Sequence, residues 1–254
     1  MTGFDPTWLA LRAPADARAR SARLIGRAAA TLGAAPLVSD LGSGTGAAVR
    51  AFGPAFPPAT RWHLFDADAG ALDVAAGLPA VETRVVDLAQ TPAPWTSSTD
   101  LVTATALFDL ASGAWIAALS AALEAANMPL LACLSFDGWI EGAPAHPAEA
   151  AIRAAFNAHQ RRSKGLGGRA AGPEATRLLA AALADCGYDV EVTGSPWLLN
   201  QPRDAALIEA VVNGVADAAR EAGAVEAEAW RTARLERTDR LVIGHRDLFA
   251  VPRR

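Results

Sequence analysis

Asp40-Leu-Gly42-Ser43-Gly44-Thr-Gly46 places a carboxylate directly ahead of three alternating glycines. Glycine permits a tight turn and lets backbone amides approach a ligand closely. The spacing alone leaves the ligand open, because Gly42, Gly44 and Ala47 also satisfy the dinucleotide pattern G-x-G-x-x-A. Asp40 tilts the reading, since a carboxylate there repels a pyrophosphate but pairs with an ammonium group. Two more acids follow. Asp66 suits both hydroxyls of a ribose, while Asp68 is the better helix cap. Asp87 either accepts from an adenine amino group, with Leu88 packed beside the ring, or forms a plain turn.

A second group of chemically capable residues lies between Asp137 and Gly172. Ile152, Ala155, Phe156 and His159 fall on one helical stripe, which turns His159 towards an apolar interior. It reads either as a general base or as a satisfied structural histidine. Arg162, Lys164 and Arg169 form a basic cluster that suits an acceptor carboxylate or phosphate, or else complements a helix C-terminus. Trp139 and Trp197 are candidates for a pocket wall, with core packing favoured for Trp197. Trp8 and Arg12 precede the first helix in this reading and are placed to close over a ligand. His245, in Gly244-His-Arg-Asp247, reads as a surface or structural residue in a turn.

The elements that must position these groups alternate along the chain. A helix is expected from Pro14 to Leu32, then strands at Pro36–Leu41, Arg61–Asp66, Val81–Asp87, Asp100–Ala104 and Pro129–Phe136, with helices between them. Asp40, Asp66 and Asp87 thus sit at three successive strand ends. After the fifth strand come a helix over Pro147–Arg162, a glycine-rich loop from Gly165 to Gly172, and a helix over Pro173–Gly187. A strand follows at Tyr188–Thr193, then two helices between Pro202 and Arg237. The last strand is expected at Asp247–Val251, with Leu241–Ile243 a candidate extension. The stripe Leu207, Ala210, Val211, Gly214, Val215 suits a core or a dimer face alike.

Composition narrows the classes. Of 254 residues, 52% are apolar and 20% charged, enough to bury a sizeable core. A net charge of −4 disfavours a nucleic-acid partner, which calls for a basic surface. Cys133 and Cys186 have no ligand-spaced neighbours and read as buried thiols of a reducing compartment. No export signal is visible, so a cytoplasmic protein is expected.

On the Asp40–Gly46 motif, with Asp66 and Asp87 in register, the chain resembles the class I S-adenosylmethionine-dependent methyltransferases from Leu37 to about Phe136. The resemblance implies an α/β fold with a doubly wound, mostly parallel seven-stranded sheet. It also implies a single domain over residues 1–254, with an N-terminal helical lid over 1–35 and helical insertions over 137–172 and 200–237. S-adenosyl-L-methionine is the implied cofactor, held by Asp40, Gly42, Ser43, Gly44, Gly46, Asp66, Ala67, Asp87, Leu88 and Thr103. The expected activity is methyl transfer to an oxygen or nitrogen of a small anionic metabolite. His159 is the catalytic candidate, and Trp139, Arg162, Lys164 and Arg169 are the acceptor-site candidates. No metal and no membrane partner are expected, and a monomer or homodimer fits equally.

Neighbouring chemistries fit less well. The stretch Thr103-Ala-Thr-Ala-Leu-Phe108 lacks the Asn/Asp-Pro-Pro-aromatic signature of enzymes methylating exocyclic base amines. Cys133 lies inside a strand, where a cytosine-attacking nucleophile would not. A nicotinamide dehydrogenase would lack Asp40, whereas a noncatalytic cofactor-binding protein would share the whole loop.

Overall fold

A computed structural model describes residues 6–253. The chain opens with two helices, α1 (Pro6–Ala19) and α2 (Ala22–Ala29), rather than one from Pro14 to Leu32. Ser21 causes the break. Its hydroxyl caps α2 by accepting from Leu24 N at 3.3 Å, and its own N–H donates to Asp247 Oδ2 at 2.7 Å. Trp8 and Arg12 therefore lie within a helix and not ahead of one.

The next elements follow the expected alternation: β1 (Leu37–Leu41), α3 (Ala47–Phe52), β2 (Arg61–Asp66), α4 (Ala69–Ala75), β3 (Val81–Val85) and β4 (Leu101–Thr105). A 3-10 turn at Phe108–Leu110 leads to α5 (Gly113–Ala125) and β5 (Leu130–Ala143). Then come α6 (Glu149–Gln160), a 3-10 turn at Gly172–Glu174, α7 (Ala175–Asp185), β6 (Tyr188–Gly194) and β7 (Trp197–Asn200). The chain closes with α8 (Ala205–Glu221), α9 (Ala227–Glu236) and β8 (Arg240–Pro252). Asp87 and Asp100 fall just outside β3 and β4. Among the described residues no helix is long and apolar enough to cross a membrane.

The strands form one sheet in the order β3-β2-β1-β4-β5-β8-β6, with β7 also paired to β8. The five strands from β3 to β5 run parallel, while β8 runs antiparallel to β5, β6 and β7. Eight strands replace the expected seven. The strand order reverses between β1 and β4, and such a switch point opens a crevice at the carboxyl ends of the strands.

The departure from expectation is concentrated in β5 and β8. Asp137 to Ala143 continues β5 instead of beginning an insertion, and residues 240–252 form one strand with no turn at Gly244. Register shifts between Ala132 and Ser135, and between Phe136 and Ile140, bend the pair. Leu134 (φ +60°) and Gly138 (φ +91°) supply the backbone conformations these shifts need. β7, absent from the sequence reading, adds a four-residue strand to the bent end. Phe136, Ile140, Trp197, Leu199, Leu241 and Ile243 form its inner face, packed against α8 through Leu207, Val211 and Val215. Leu207, Val211 and Val215 of that stripe are thus core, while Ala210 is half-buried and Gly214 exposed. α6 covers the free edge of β5, with Asn157 Nδ2 donating to Gly138 O at 3.0 Å.

Candidate functional site

The turn after β1 needs all three glycines. Gly42, Gly44 and Gly46 take φ of +64°, +51° and +84°, which side chains with a Cβ adopt only at a cost. Gly42 N and Ser43 N donate to Phe65 O at 2.8 and 3.1 Å, fastening the loop to β2. A Cβ on Gly42 would lie 2.7 Å from Leu107 Cδ1, and one on Gly46 2.5 Å from Leu78 Cδ1. A Cβ on Gly44 would meet only Leu9 Cδ1, at 3.8 Å, so α1 lies over the middle of the loop.

Asp40 is buried beneath this turn and accepts the Thr103 hydroxyl at 2.7 Å. Burial pushes its carboxyl up to about 7; the Thr103 hydrogen bond opposes this, the Asp66 charge adds to it, and Arg20 opposes it. Asp66 Oδ2 accepts Gly44 N at 2.8 Å and its Oδ1 accepts Asp68 N at 2.9 Å. Asp68 caps α4 through Ala71 N at 3.1 Å. Each Asp66 oxygen keeps a lone pair for a further donor. Ala67 is exposed beside it. Asp87 is exposed and closes an Asx turn on Ala89 N at 2.9 Å. Leu88 is buried, its carbonyl accepting Trp115 Nε1 at 2.6 Å.

Two residues that sequence reasoning missed, Arg20 and Asp109, and a third that it placed in a turn, His245, lie deep in the fold. Arg20, in the α1–α2 break, has a side chain only 5% exposed and within electrostatic reach of Asp40. Asp109 follows β4 in the first 3-10 turn. Burial raises its carboxyl to about 6, opposed by backbone hydrogen bonds from its own N–H and Phe136 and by the charges of Arg12 and Lys164. His245 is buried in mid-strand rather than on a surface turn, its ring 4.9 Å from Trp197 and 6.3 Å from Phe136. Burial, aided by nearby Arg12, lowers it to about 3, so it is neutral at ordinary pH. None of the three belongs to a local motif. Their burial arises from chain crossings far apart in sequence.

The residues of the α6 region separate into two groups. His159 Nε2 lies 3.1 Å from Glu221 Oε2 on α8, and its Nδ1 is buried without a partner. Arg162 donates to the same Glu221 oxygen at 3.3 Å and to Glu221 O at 2.7 Å. Lys164 is near this group. Burial lowers its ammonium, while Asp109 and Glu221 oppose the shift and Arg162 adds to it. A line of charge therefore runs from His159 and Glu221 through Lys164 to Asp109 and Arg12. Arg169 stands apart, exposed and donating to Arg161 O at 3.1 Å. Trp139 points to the outer face of the bent sheet, 46% exposed under the Arg153 guanidinium at 4.2 Å. It lines a surface cavity of about 540 Å³ with Asp137, Arg161, Glu174 and Arg246, away from the glycine turn.

No protein-family model matches the chain, and no curated protein matches it. Solved structures do. A provisionally assigned type II methyltransferase from Anaeromyxobacter dehalogenans aligns over 93% of this chain and 99% of its own, with 16% identity and a TM-score of 0.52. The mycolic acid cyclopropane synthase CmaA1, complexed with S-adenosylhomocysteine, aligns over 89% and 82%, with 14% identity and a TM-score of 0.51. Phosphoethanolamine N-methyltransferase 2 from Haemonchus contortus aligns over 91% of this chain at 14% identity and a TM-score of 0.48. The chain spans about half of that protein, 52% of its length. The chain has the class I methyltransferase fold.

Proposed function

We propose that this chain of class I methyltransferase fold is an S-adenosylmethionine-dependent methyltransferase acting on an oxygen or nitrogen of a small anionic metabolite in the cytoplasm. The observation that carries the reading is Asp40, buried at the end of β1 beneath the Gly42–Gly46 turn. A buried carboxylate whose hydrogen-bond donor is a neutral hydroxyl favours a cation beside it. The ammonium group of the cofactor's methionine end is such a cation. CmaA1, a protein of the same fold, carries S-adenosylhomocysteine.

The residues present fit that cofactor. Ser43 Oγ is buried without a hydrogen-bond partner in the turn itself. Asp66 at the end of β2 has lone pairs left for ribose hydroxyls, and Leu88 offers an apolar surface to adenine. S-adenosylmethionine supplies an activated methyl group, so the protein's task is to hold the acceptor in line and keep water out. α1 serves the second task, with Leu9 over Gly44 and its other end held on the bent sheet.

Lys164, whose charge acts on Asp109, supports an anionic acceptor. Arg12 acts on Asp109 as well but is already paired with Asp16 at 2.9 Å. Asp109 is the better placed base, because it follows β4 at the switch point. His159 remains a candidate, with Glu221 orienting its ring at 3.1 Å. Arg162 acts through Glu221 in this scheme, while Trp139, within β5, and the exposed Arg169 take no part in it. Calorimetric titration with S-adenosylmethionine, S-adenosylhomocysteine and NAD tests the class, with Asp66→Ala as control. Binding of the sulfonium cofactor or its product, lost in the variant, is expected. Binding of NAD alone would overturn the proposal.

A further inference from the structure

Trp139 is the one exposed tryptophan among the described residues, and its ring is fixed on two sides. The Arg153 guanidinium lies over it at 4.2 Å, and its Nε1 donates to Glu141 Oε2 at 3.2 Å. An indole left in solvent forgoes apolar burial, but one already ordered offers a stacking surface at little entropic cost. The strand beside it makes room. A Cβ on Gly244 would overlap the Asp137 carboxylate and lie 2.7 Å from Trp139 Cβ.

The cavity of about 540 Å³ next to this ring holds two further groups with unmet chemistry. Arg161 lines it half-buried and forms no ion pair among the described residues; its Nη1 donates to Asn157 O at 3.4 Å, a long bond. Asn157 Oδ1 is buried without a partner, while its Nδ2 is taken up by Gly138 O. The acids of the same wall are matched, Asp137 by Arg246 at 2.9 Å and Glu174 by Arg177 at 2.8 Å. One cavity thus presents an aromatic platform, a surplus guanidinium and an acceptor oxygen lacking a donor. A guanidinium suits one carboxylate in a bidentate pair, whereas Asp137 and Glu174 repel a doubly charged phosphate.

We propose that this cavity is a second ligand site, separate from the glycine turn, for a planar aromatic carboxylate carrying an N–H or O–H donor. The ring stacks on Trp139, the carboxylate pairs with Arg161 and the donor meets Asn157. The site is assembled where α6 crosses β5, at the Asn157–Gly138 hydrogen bond, and it does not depend on the cofactor reading.

Indole-3-acetate is the probe, with tryptamine and cyclohexylacetate as controls lacking the carboxylate and the aromatic face. Among the seven tryptophans, the Trp139 indole N–H signal in proton–nitrogen correlation spectra is identified by its loss in Trp139→Phe. Indole-3-acetate should shift that signal saturably in the wild type and equally in Asp66→Ala. Both controls should bind the wild type about 10-fold more weakly, as should indole-3-acetate the variant Arg161→Met. The remaining indole signals, unmoved, report that the variant is folded. No shift with indole-3-acetate, equal affinity for the three compounds, or undiminished affinity in Arg161→Met overturns the proposal. So does loss of binding in Asp66→Ala, which would put the ligand in the crevice beside the glycine turn.

Discussion

Trp197 Nε1 donates a buried hydrogen bond to Asp16 Oδ1 at 2.9 Å, joining β7 to α1 across 181 residues of sequence. Arg18 and Asp204 add a second link between the same regions at 2.6 Å. The helix over the glycine turn is thereby fastened to the strand pair that carries the helical roof. Trp197→Phe removes one donor and should loosen α1 by about 1–2 kcal/mol. Hydrogen exchange should quicken in α1 while the β1 and β4 amides keep their protection. Unchanged exchange in α1 would show that the contact is not a latch.

Asp40 makes cofactor affinity depend on pH. With its carboxyl near 7 in the free protein, acid protonates the group that must face the ligand ammonium. The dissociation constant of S-adenosylhomocysteine should rise about fivefold from pH 7 to 6, with proton release on binding visible in buffers of different ionisation enthalpy. Asp40→Asn should bind weakly at every pH and show no such release. It should also be the more stable free protein at pH 8. A raised carboxyl favours folding below the unfolded value and loses that advantage as pH climbs through about 7.

His245 acts in the opposite direction. Its folded value near 3 lies below the unfolded 6.5, so the unfolded chain binds the extra proton. Stability from this group is complete above pH 6.5 and declines as pH falls towards 3. Between pH 6.5 and 5 the loss is about 2 kcal/mol. His245→Phe keeps the packing against Trp197 and Phe136 and should flatten this part of the stability profile. Parallel profiles in urea titrations of the two proteins would refute the assignment.

The glycines should not tolerate alanine equally. Gly46→Ala combines a positive φ with a Cβ 2.5 Å from Leu78, and should cost about 2–4 kcal/mol and abolish ligand binding. Gly44→Ala shares the φ cost but meets only Leu9 at 3.8 Å, so a loss of about 1–2 kcal/mol is expected. Thermal melts rank the two, and an equal drop would mean that the Leu78 contact is readily relieved.

Once an acceptor is found, Asp109→Asn and His159→Ala will identify the base. Asp109→Asn should lower kcat by about 100-fold or more and remove the acidic limb of the pH profile near 6. His159→Ala should mainly raise KM by loosening the Glu221–Arg162 contact. The reverse pattern would restore His159 as the base.

The glycine turn, the Asp68 cap and the first strands were legible because each rests on neighbours in sequence. Asp40, Gly42 and Gly46 need only a strand before them and a helix after, and hydrophobic runs at Leu37–Leu41 and Arg61–Asp66 mark those strands directly. Asp66 could be matched to a strand end by counting, whereas Asp87 lies past the end of β3 at Val85. Their actual hydrogen bonds, to Gly44 N and Ala89 N, could not.

What the sequence determined by itself is the set of local preferences: which residues start and stop each element, and which turn requires glycine. Tertiary structure decided how far β5 and β8 run, because their length depends on pairing each other across bulges and not on composition. Asp247 illustrates this, its carboxylate taking Leu134 N at 2.8 Å, Ser195 Oγ at 2.6 Å and Ser21 N at 2.7 Å from three separate regions. Only that long-range pairing turns Trp139 outward, buries His245 and brings Arg20 to Asp40. Burial and pairing depend on what the rest of the chain leaves nearby, and no local pattern records it.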